Sequence, residues 1–238
     1  MIKRLTFLRR APDQTAEEFA SRWRTSSLSN LNALTSLERP IRLVHCVSRA
    51  SAPDSSWDGV EITWHSPQTS ETDLEAWSGA ESSDGIFLGG SRTTVTVEER
   101  TVSGAEWLAD RWRRGGEMGA VLIGLIEAAN GFTHHDFRDY WWDRHRPFAN
   151  DQVPDELAPV AYVHDYVVED SVAGGEFTWA GIGEMYERSL ATARLRGQWF
   201  ESDAAKPLIA DEERFLVRAT RQVLVTFGEV LFDQTTSR

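Results

Sequence analysis

The sequence holds a single cysteine, Cys46, and only two lysines, Lys3 and Lys206, in 238 residues. One cysteine excludes an internal disulfide framework, and two lysines leave few candidates for Schiff-base chemistry. There is no run of 18 apolar residues, so no helix is expected to span a membrane. The stretch MIKRLTFLRR has too short an apolar segment for a signal peptide, and a soluble cytoplasmic protein is the expectation. Neither half of the chain is cationic: the formal charge of −12 divides into −5 over residues 1 to 110 (11 basic, 16 acidic) and −7 over residues 111 to 238 (14 basic, 21 acidic). Nucleic-acid binding depends on clustered Lys and Arg that neutralise phosphates, so it is not expected. The same shortage argues against an anionic membrane surface.

What remains is ordinary globular composition, 41% hydrophobic and 26% charged, which excludes a disordered or fibrous chain. The length suits one large domain or two small ones. Self-similarity decides between them. LTFLRRAPDQTAEEF, Leu5 to Phe19, aligns with IGLIEAANGFTHHDF, Ile123 to Phe137, at an offset of 118, and Trp23 then falls on Trp141. With small gaps His45 falls on His164, Trp57 and Gly59 on Trp179 and Gly181, and Trp77 on Trp199.

Each repeat reads as strand, helix, strand, strand, helix, strand. Short apolar runs (Leu5 to Arg9; Val121 to Ala128) form the first strands, and Thr15 or Thr133 then starts a helix with Glu18 or Asp136 three residues on, a capping-box pattern. Phe132 is placed to staple onto Phe137 there. Strands Ile41 to Val47 and Val160 to Val168, then Val60 to His65 and Phe177 to Tyr186, are followed by helices Ser70 to Ser78 and Leu190 to Ser202. Thr93 to Glu98 and Gln222 to Phe227 close the units. This βαββαβ order predicts an α+β protein of two ferredoxin-like units. Runs such as VLIGLI and VLVTF imply strands covered on both faces. Two sheets meeting face to face as an intramolecular α+β barrel with a pseudo-two-fold axis would provide that cover. The units are assigned to residues 1–103 and 118–238, joined by a connector at 104–117 that Trp107 and Trp112 should pin down. An internal pair of this kind predicts a monomer, or a homodimer of such chains.

The segment FRDYWWDRHRPF, Phe137 to Phe148, concentrates the chemistry. Phe137, Trp141 and His145 recur at i, i+4, i+8 on one stripe, and Pro147 is expected to stop the helix, leaving His145 in its last turn. There the helix dipole would favour the imidazolium and suit a general acid or base. In the strand VAYVHDYVV, Val160, Tyr162, His164 and Tyr166 share one face, with Ala161, Val163, Asp165 and Val167 on the other. If the first set faces the helices, Tyr162 and His164 join His145; a slip of one residue brings in Asp165 instead.

The pattern of Phe137, Tyr140, Trp141, His145 and Pro147, followed by a strand with His164, resembles the helix-one signature of EthD-type domains. The resemblance implies dimeric α+β barrels with small, usually cofactor-free pockets between helices and sheet; related barrels are cyclases, dehydratases, isomerases and quinol-forming monooxygenases, and more distant ones bind haem. The first repeat departs from the pattern, with Ser27 in place of His145 and Ser29 in place of Pro147, so one complete site, in the second repeat, is expected.

His145 is therefore the expected general acid/base, with Tyr140, Asp143, Tyr162 and His164 as helpers. Phe137, Trp141, Trp179, Tyr186 and Trp199 are the aromatic residues expected to wall a flat or polycyclic apolar substrate. Simpler roles stand beside these: a helix-end imidazole can bind a carbonyl, His164 and its counterpart His45 can both serve packing, and tryptophans more often fill cores. His134, His135 and Asp136 point in different directions from a helix start and are not expected to bind metal. The Gly pairs at 89, 115 and 174 read as turns, and no Ser-His-Asp motif is visible. The function expected is a cofactor-independent lyase, dehydratase, isomerase or cyclase acting on an aromatic or polyketide-like molecule. A cofactor-free monooxygenase, a haem protein with His145 or His164 as axial ligand, and a non-catalytic ligand-binding subunit are the alternatives.

Overall fold

Strands that are apolar at successive positions need cover on both faces, and the chain provides it by closing its sheet. The computed structural model describes all residues except 37, 49–56, 81–84, 169–177 and 237–238, and omits the side chains of 78–80, 89–91 and 236. The first half runs β1 (Ile2–Arg10), α1 (Ala16–Ala33), β2 (Arg42–Ser48), β3 (Gly59–His65), α2 (Glu71–Ala80) and β4 (Phe87–Ser103). Helix α3 (Ala105–Arg114) leads to β5 (Gly116–Ile126), α4 (His134–Asp139), a π-helical turn (Tyr140–His145), α5 (Arg146–Gln152), β6 (Ala161–Val167), β7 (Gly181–Tyr186), α6 (Leu190–Phe200), α7 (Lys206–Phe215) and β8 (Gln222–Asp233).

The strands form one closed antiparallel barrel in the order β1-β3-β2-β8-β5-β7-β6-β4. Each half contributes four neighbours in matching order, β4-β1-β3-β2 and β8-β5-β7-β6, and the seams are the pairs β2 with β8 and β4 with β6. The sheets therefore join edge to edge, not simply face to face, which leaves none of the described strands with a free edge. Leu5, Phe7, Ile62, Val95, Ile123 and Ile182 fill the interior. Outside, Phe19 and Trp23 of α1 pack with Leu8, and Phe137 and Trp141 pack with Tyr166 and Phe215.

The repeat is visible in side-chain detail. Trp23 stacks on His45 at 3.7 Å and 16°, and Trp141 on His164 at 3.8 Å and 16°. Both stacks need a glycine beneath them: a Cβ on Gly59 would lie 2.7 Å from the Trp23 ring, and one on Gly181 would lie 2.5 Å from the Trp141 ring. Both capping boxes form, Thr15 with Glu18 and Thr133 with Asp136, each stabilising its helix start by about 1 kcal/mol. Phe132 stands edge-on to Tyr140 at 5.8 Å, within the cluster that also holds Phe137.

The barrel interior also carries charge. The Lys3 ammonium lies 2.7 Å from Glu99, 2.9 Å from Asp165 and 3.0 Å from Glu184, and Tyr186 donates to Glu184 at 2.7 Å. Burial opposes a charge there, yet the three carboxylates raise the Lys3 pKa. Burial also pushes the Asp165 pKa well above the usual carboxylate range, against the pull of the Lys3 ammonium. Lys3 comes from the first half and Asp165 and Glu184 from the second, tying the halves across the barrel.

Several expectations are corrected. Pro147 does not end its helix, because the π-helical turn absorbs it: the Arg146 N–H bonds the Trp141 carbonyl five residues back. The Trp142 carbonyl, which Pro147 has no N–H to meet, accepts from Arg146 Nε at 3.1 Å. His145 consequently sits mid-helix, and the dipole argument for it falls. Gly89 and Gly90 lie within β4, while Gly115 caps α3 and Gly116 opens β5, with φ of 68° and 71°; the pair at 174 and residue Phe177 lie outside the described residues. Within the expected connector, α3 packs Trp107 and Trp112 on the barrel core. Gly104, at φ 74°, makes its start possible, since a Cβ there would meet the Val160 carbonyl at 2.2 Å. Helix α7 was not expected, and β4 and β8 extend well beyond their predicted ends.

Candidate active site

A cavity of about 570 Å³ opens between the outer face of β5, β6, β7 and β8 and the helices α5, α6 and α7. This is the size of a pocket for a drug-sized ligand. Its sheet side includes Leu122, Gly124, Ile126, Tyr162, Gly183 and Met185. Its helix side includes His145, Ala149, Ala193, Gly197, Phe200 and Leu208. The surface is chiefly apolar, with the polar groups of Arg196, Arg218, Arg221, Glu212 and Asp155 at intervals.

His145 is nearly buried, and its Nδ1 lies 2.8 Å from Asp211 Oδ2. Tyr140 donates its hydroxyl to the other oxygen, Oδ1, at 2.8 Å. One carboxylate thus holds two side chains of the same helix. A carboxylate on Nδ1 fixes the tautomer with its proton there and leaves Nε2 as the basic nitrogen. The Phe215 ring, 4.9 Å from the imidazole and stacked on Tyr140 at 5.0 Å, packs this arrangement from α7.

Tyr162 and His164 do face the helices, as the first of the two registers required, while Asp165 points into the barrel. Tyr162 lines the cavity that His145 also lines, and burial pushes its phenol up to about 12, so it is a neutral donor there. His164 is fully buried beneath Trp141, with Nδ1 3.3 Å from the Tyr166 hydroxyl. Burial, then the neighbouring His145 and Arg146 side chains, hold its pKa well below 6.5. It supports the wall rather than lining it.

Other expected residues stand elsewhere. Asp143 is exposed. Phe137 and Trp141 lie behind the wall in the helix-to-sheet core. Trp179 packs half-buried on the barrel core, as does its counterpart Trp57, and Tyr186 lies inside the barrel on Glu184. Trp199 is half-buried, and its neighbour Phe200 reaches the cavity instead. Helix phase explains that exchange, because adjacent helical residues point in different directions.

The residues missed belong chiefly to α7 and the segment after it. Besides Asp211, Glu212 sits buried at the cavity, taking Arg218 at 2.8 Å and Arg221 at 3.3 Å. Arg196 of α6 is clasped by Glu187 and donates to the Leu157 carbonyl at 3.1 Å. The signal was present: Pro207 in the first turn, then Leu208, Glu212 and Phe215 at i, i+4, i+7. Among the described residues no three His, Cys, Asp or Glu gather as a metal site, and His135 faces Asp139 at 3.4 Å on exposed surface. No helix among them is long and apolar enough to cross a membrane.

No family model matches the sequence, and no curated protein matches it. Solved structures do. An anthrone oxidase-like protein superposes with a TM-score of 0.60 at 10% identity, over 100% of this chain and 96% of its own. A provisionally named monooxygenase from Lactobacillus acidophilus superposes with a TM-score of 0.52 at 12% identity, over 98% and 96%. At such identities the likeness establishes a shared fold.

Proposed function

We propose that the chain is a cofactor-independent acid/base enzyme acting on an aromatic or polyketide-like small molecule. The observation that carries this is a histidine oriented by a half-buried carboxylate at the wall of a largely apolar cavity, with a neutral phenol in the same cavity. Nε2 of His145 takes a proton from a carbon flanked by a carbonyl, and the electrons of the broken C–H bond move onto the carbonyl oxygen. Asp211 stabilises the imidazolium that forms. Tyr162 and Arg221 are the donors available to the enolate oxygen. Returning the proton to another carbon completes an isomerisation; expelling hydroxide with it, as water, completes a dehydration.

The same reading takes the barrel as two fused ferredoxin-like units of EthD type, residues 1–103 and 118–238 with a connector at 104–117, and the second as the working one. The matching strand order of the halves supports it. A second reading is favoured by what the structural neighbours are called: the enolate reacts with oxygen, so that a methylene and O2 give a carbonyl and water. A haem role for His164 fits poorly, because Trp141 covers its ring.

Both readings begin with proton removal, so the test is carbon–hydrogen exchange. Anthrone in D2O without oxygen should exchange its methylene protons faster with protein present. Asp211→Asn should slow this by about a hundredfold. Equal exchange by wild type, Asp211→Asn and buffer would refute acid/base catalysis. Admitting oxygen separates the readings by its consumption.

A further inference from the structure

Three glycines lie on the cavity side of β5 and β7, and they are not alike. Gly181 is required by packing, because a Cβ would lie 2.5 Å from Trp141 and 2.9 Å from Phe137. Gly124 is not: its backbone is not left-handed, and a Cβ there would meet nothing nearer than the Gly183 carbonyl at 3.9 Å. Gly183 has the same ordinary backbone, but a Cβ would press on the Tyr162 ring and hydroxyl at 3.3 Å, so that Tyr162 would have to give by a few tenths of an ångström. Gly124 and Gly183 are direct partners across the β5–β7 ladder, and both line the cavity. Glycine inside a strand sacrifices side-chain packing and marks a place where something approaches the backbone closely.

The first half shows what the fold accepts at this place. The pair equivalent to Gly124 and Gly183 is Thr6 and Glu61, partners on β1 and β3, with Glu61 opposite His45 as Gly183 is opposite His164. There the space is filled: Thr6 and Glu61 are buried, and Trp77 of α2 donates to Glu61 at 2.9 Å. Side chains are therefore compatible with the strand pair, and the bare backbone belongs to the half in which this particular space is open. Across the cavity α6 presents Ala193 and Gly197, and a Cβ on Gly197 would meet nothing within 4 Å.

We propose that Gly124 and Gly183 form a side-chain-free floor against which a planar substrate lies flat, and that this pair sets how many fused rings the cavity admits. It rests on the reading that this cavity is the substrate site. Flat contact with two peptide groups favours a rigid ring system over a flexible chain, and Tyr162 at the floor's edge supplies the adjoining hydroxyl.

The test is binding of phenol, 2-naphthol and anthrone without oxygen, read by quenching of intrinsic fluorescence, to wild type, Gly124→Ala and Gly124→Val. Gly124→Val should lower the preference for anthrone over phenol at least ~tenfold, with Gly124→Ala intermediate. Unchanged thermal midpoints would confirm that both variants fold, and the alanine variant carries the test if valine unfolds the chain. An unchanged preference, or a wild type that binds none of the three probes, overturns the floor. The two readings part cleanly: ring selectivity that depends on Gly124 without any proton exchange keeps the floor and removes the acid/base role. Exchange that persists in Gly124→Val at wild-type selectivity does the reverse.

Discussion

At equivalent positions the two halves agree where a residue faces the shared scaffold and differ where it faces a helix-covered space. The Trp-on-His stack and its glycine recur almost unchanged, at 3.7 and 3.8 Å. One turn along the same helix stripe, buried Ser27 of α1 stands where His145 stands. The difference is compounded by the second helix: α2 lays Trp77 onto Leu31 and Leu43, filling the equivalent space of the first half, whereas α6 and α7 stand over an open cavity. The contacts that hold helix to sheet are common to both halves, while the side chains facing the helix-covered space are not. The barrel interior differs too, for Lys3 in one half serves carboxylates in the other.

The comparison can be broken most severely at His145. His145→Ala should reduce turnover by about two to four orders of magnitude if proton transfer limits the rate, while Ser27→Ala leaves kcat within about twofold. Steady-state kinetics on any substrate found by the exchange assay checks this, and a reversed pattern would place the site in the first half.

Lys3→Met should cost about 3–5 kcal/mol in urea unfolding, because it leaves buried Asp165 and Glu184 and half-buried Glu99 around an apolar chain. A loss below about 1 kcal/mol would mean that the tie between the halves is dispensable. Smaller and matched losses are expected from Gly59→Ala and Gly181→Ala. Each forces a methyl into a tryptophan stack and should cost about 1–3 kcal/mol. Unequal losses would show that the two stacks are not equivalent.

The mildest test is acid. Burial lowers the His65 pKa to about 4 in the first half, and burial with neighbouring positive charge depresses His164 in the second. Unfolded histidine titrates near 6.5, so below that value the unfolded chain binds more protons than the folded one. Stability is then complete above about pH 6.5 and declines as pH falls toward the folded values. His65→Asn and His164→Asn should each flatten that decline, measured as unfolding free energy from pH 7 to 5, by up to about 1.4 kcal/mol per pH unit.

Much of the scaffold was legible because its determinants are local. Capping boxes span three residues, strands announce themselves as apolar runs, and the Phe137, Trp141, His145 stripe needs only helical spacing. Pro147 misled because a proline's local rule is to end a helix, and only the π-helical turn with the Arg146 side chain at the Trp142 carbonyl overrides it. The aromatic wall was misassigned for a related reason. Trp179, Tyr186 and Trp199 are attractive by type, but which face they occupy depends on strand and helix phase across gaps in the alignment.

The sequence by itself determined the self-similarity of the halves, the strand-helix-strand-strand-helix order that opens each, the helix starts at Thr15 and Thr133 and the histidine on the inward stripe, since each is written within a few neighbouring residues or in the comparison of one half with the other. Only the tertiary structure decided that the sheets close edge to edge and that Lys3 meets Asp165, 162 residues away. It alone brought Asp211 to His145 across 66 residues and opened a cavity over Gly124 and Gly183. Such contacts join segments whose local patterns carry no reference to one another. They arise when burial of both faces of every strand forces the barrel shut, and with it fixes which side chains share an interior, a wall or a proton.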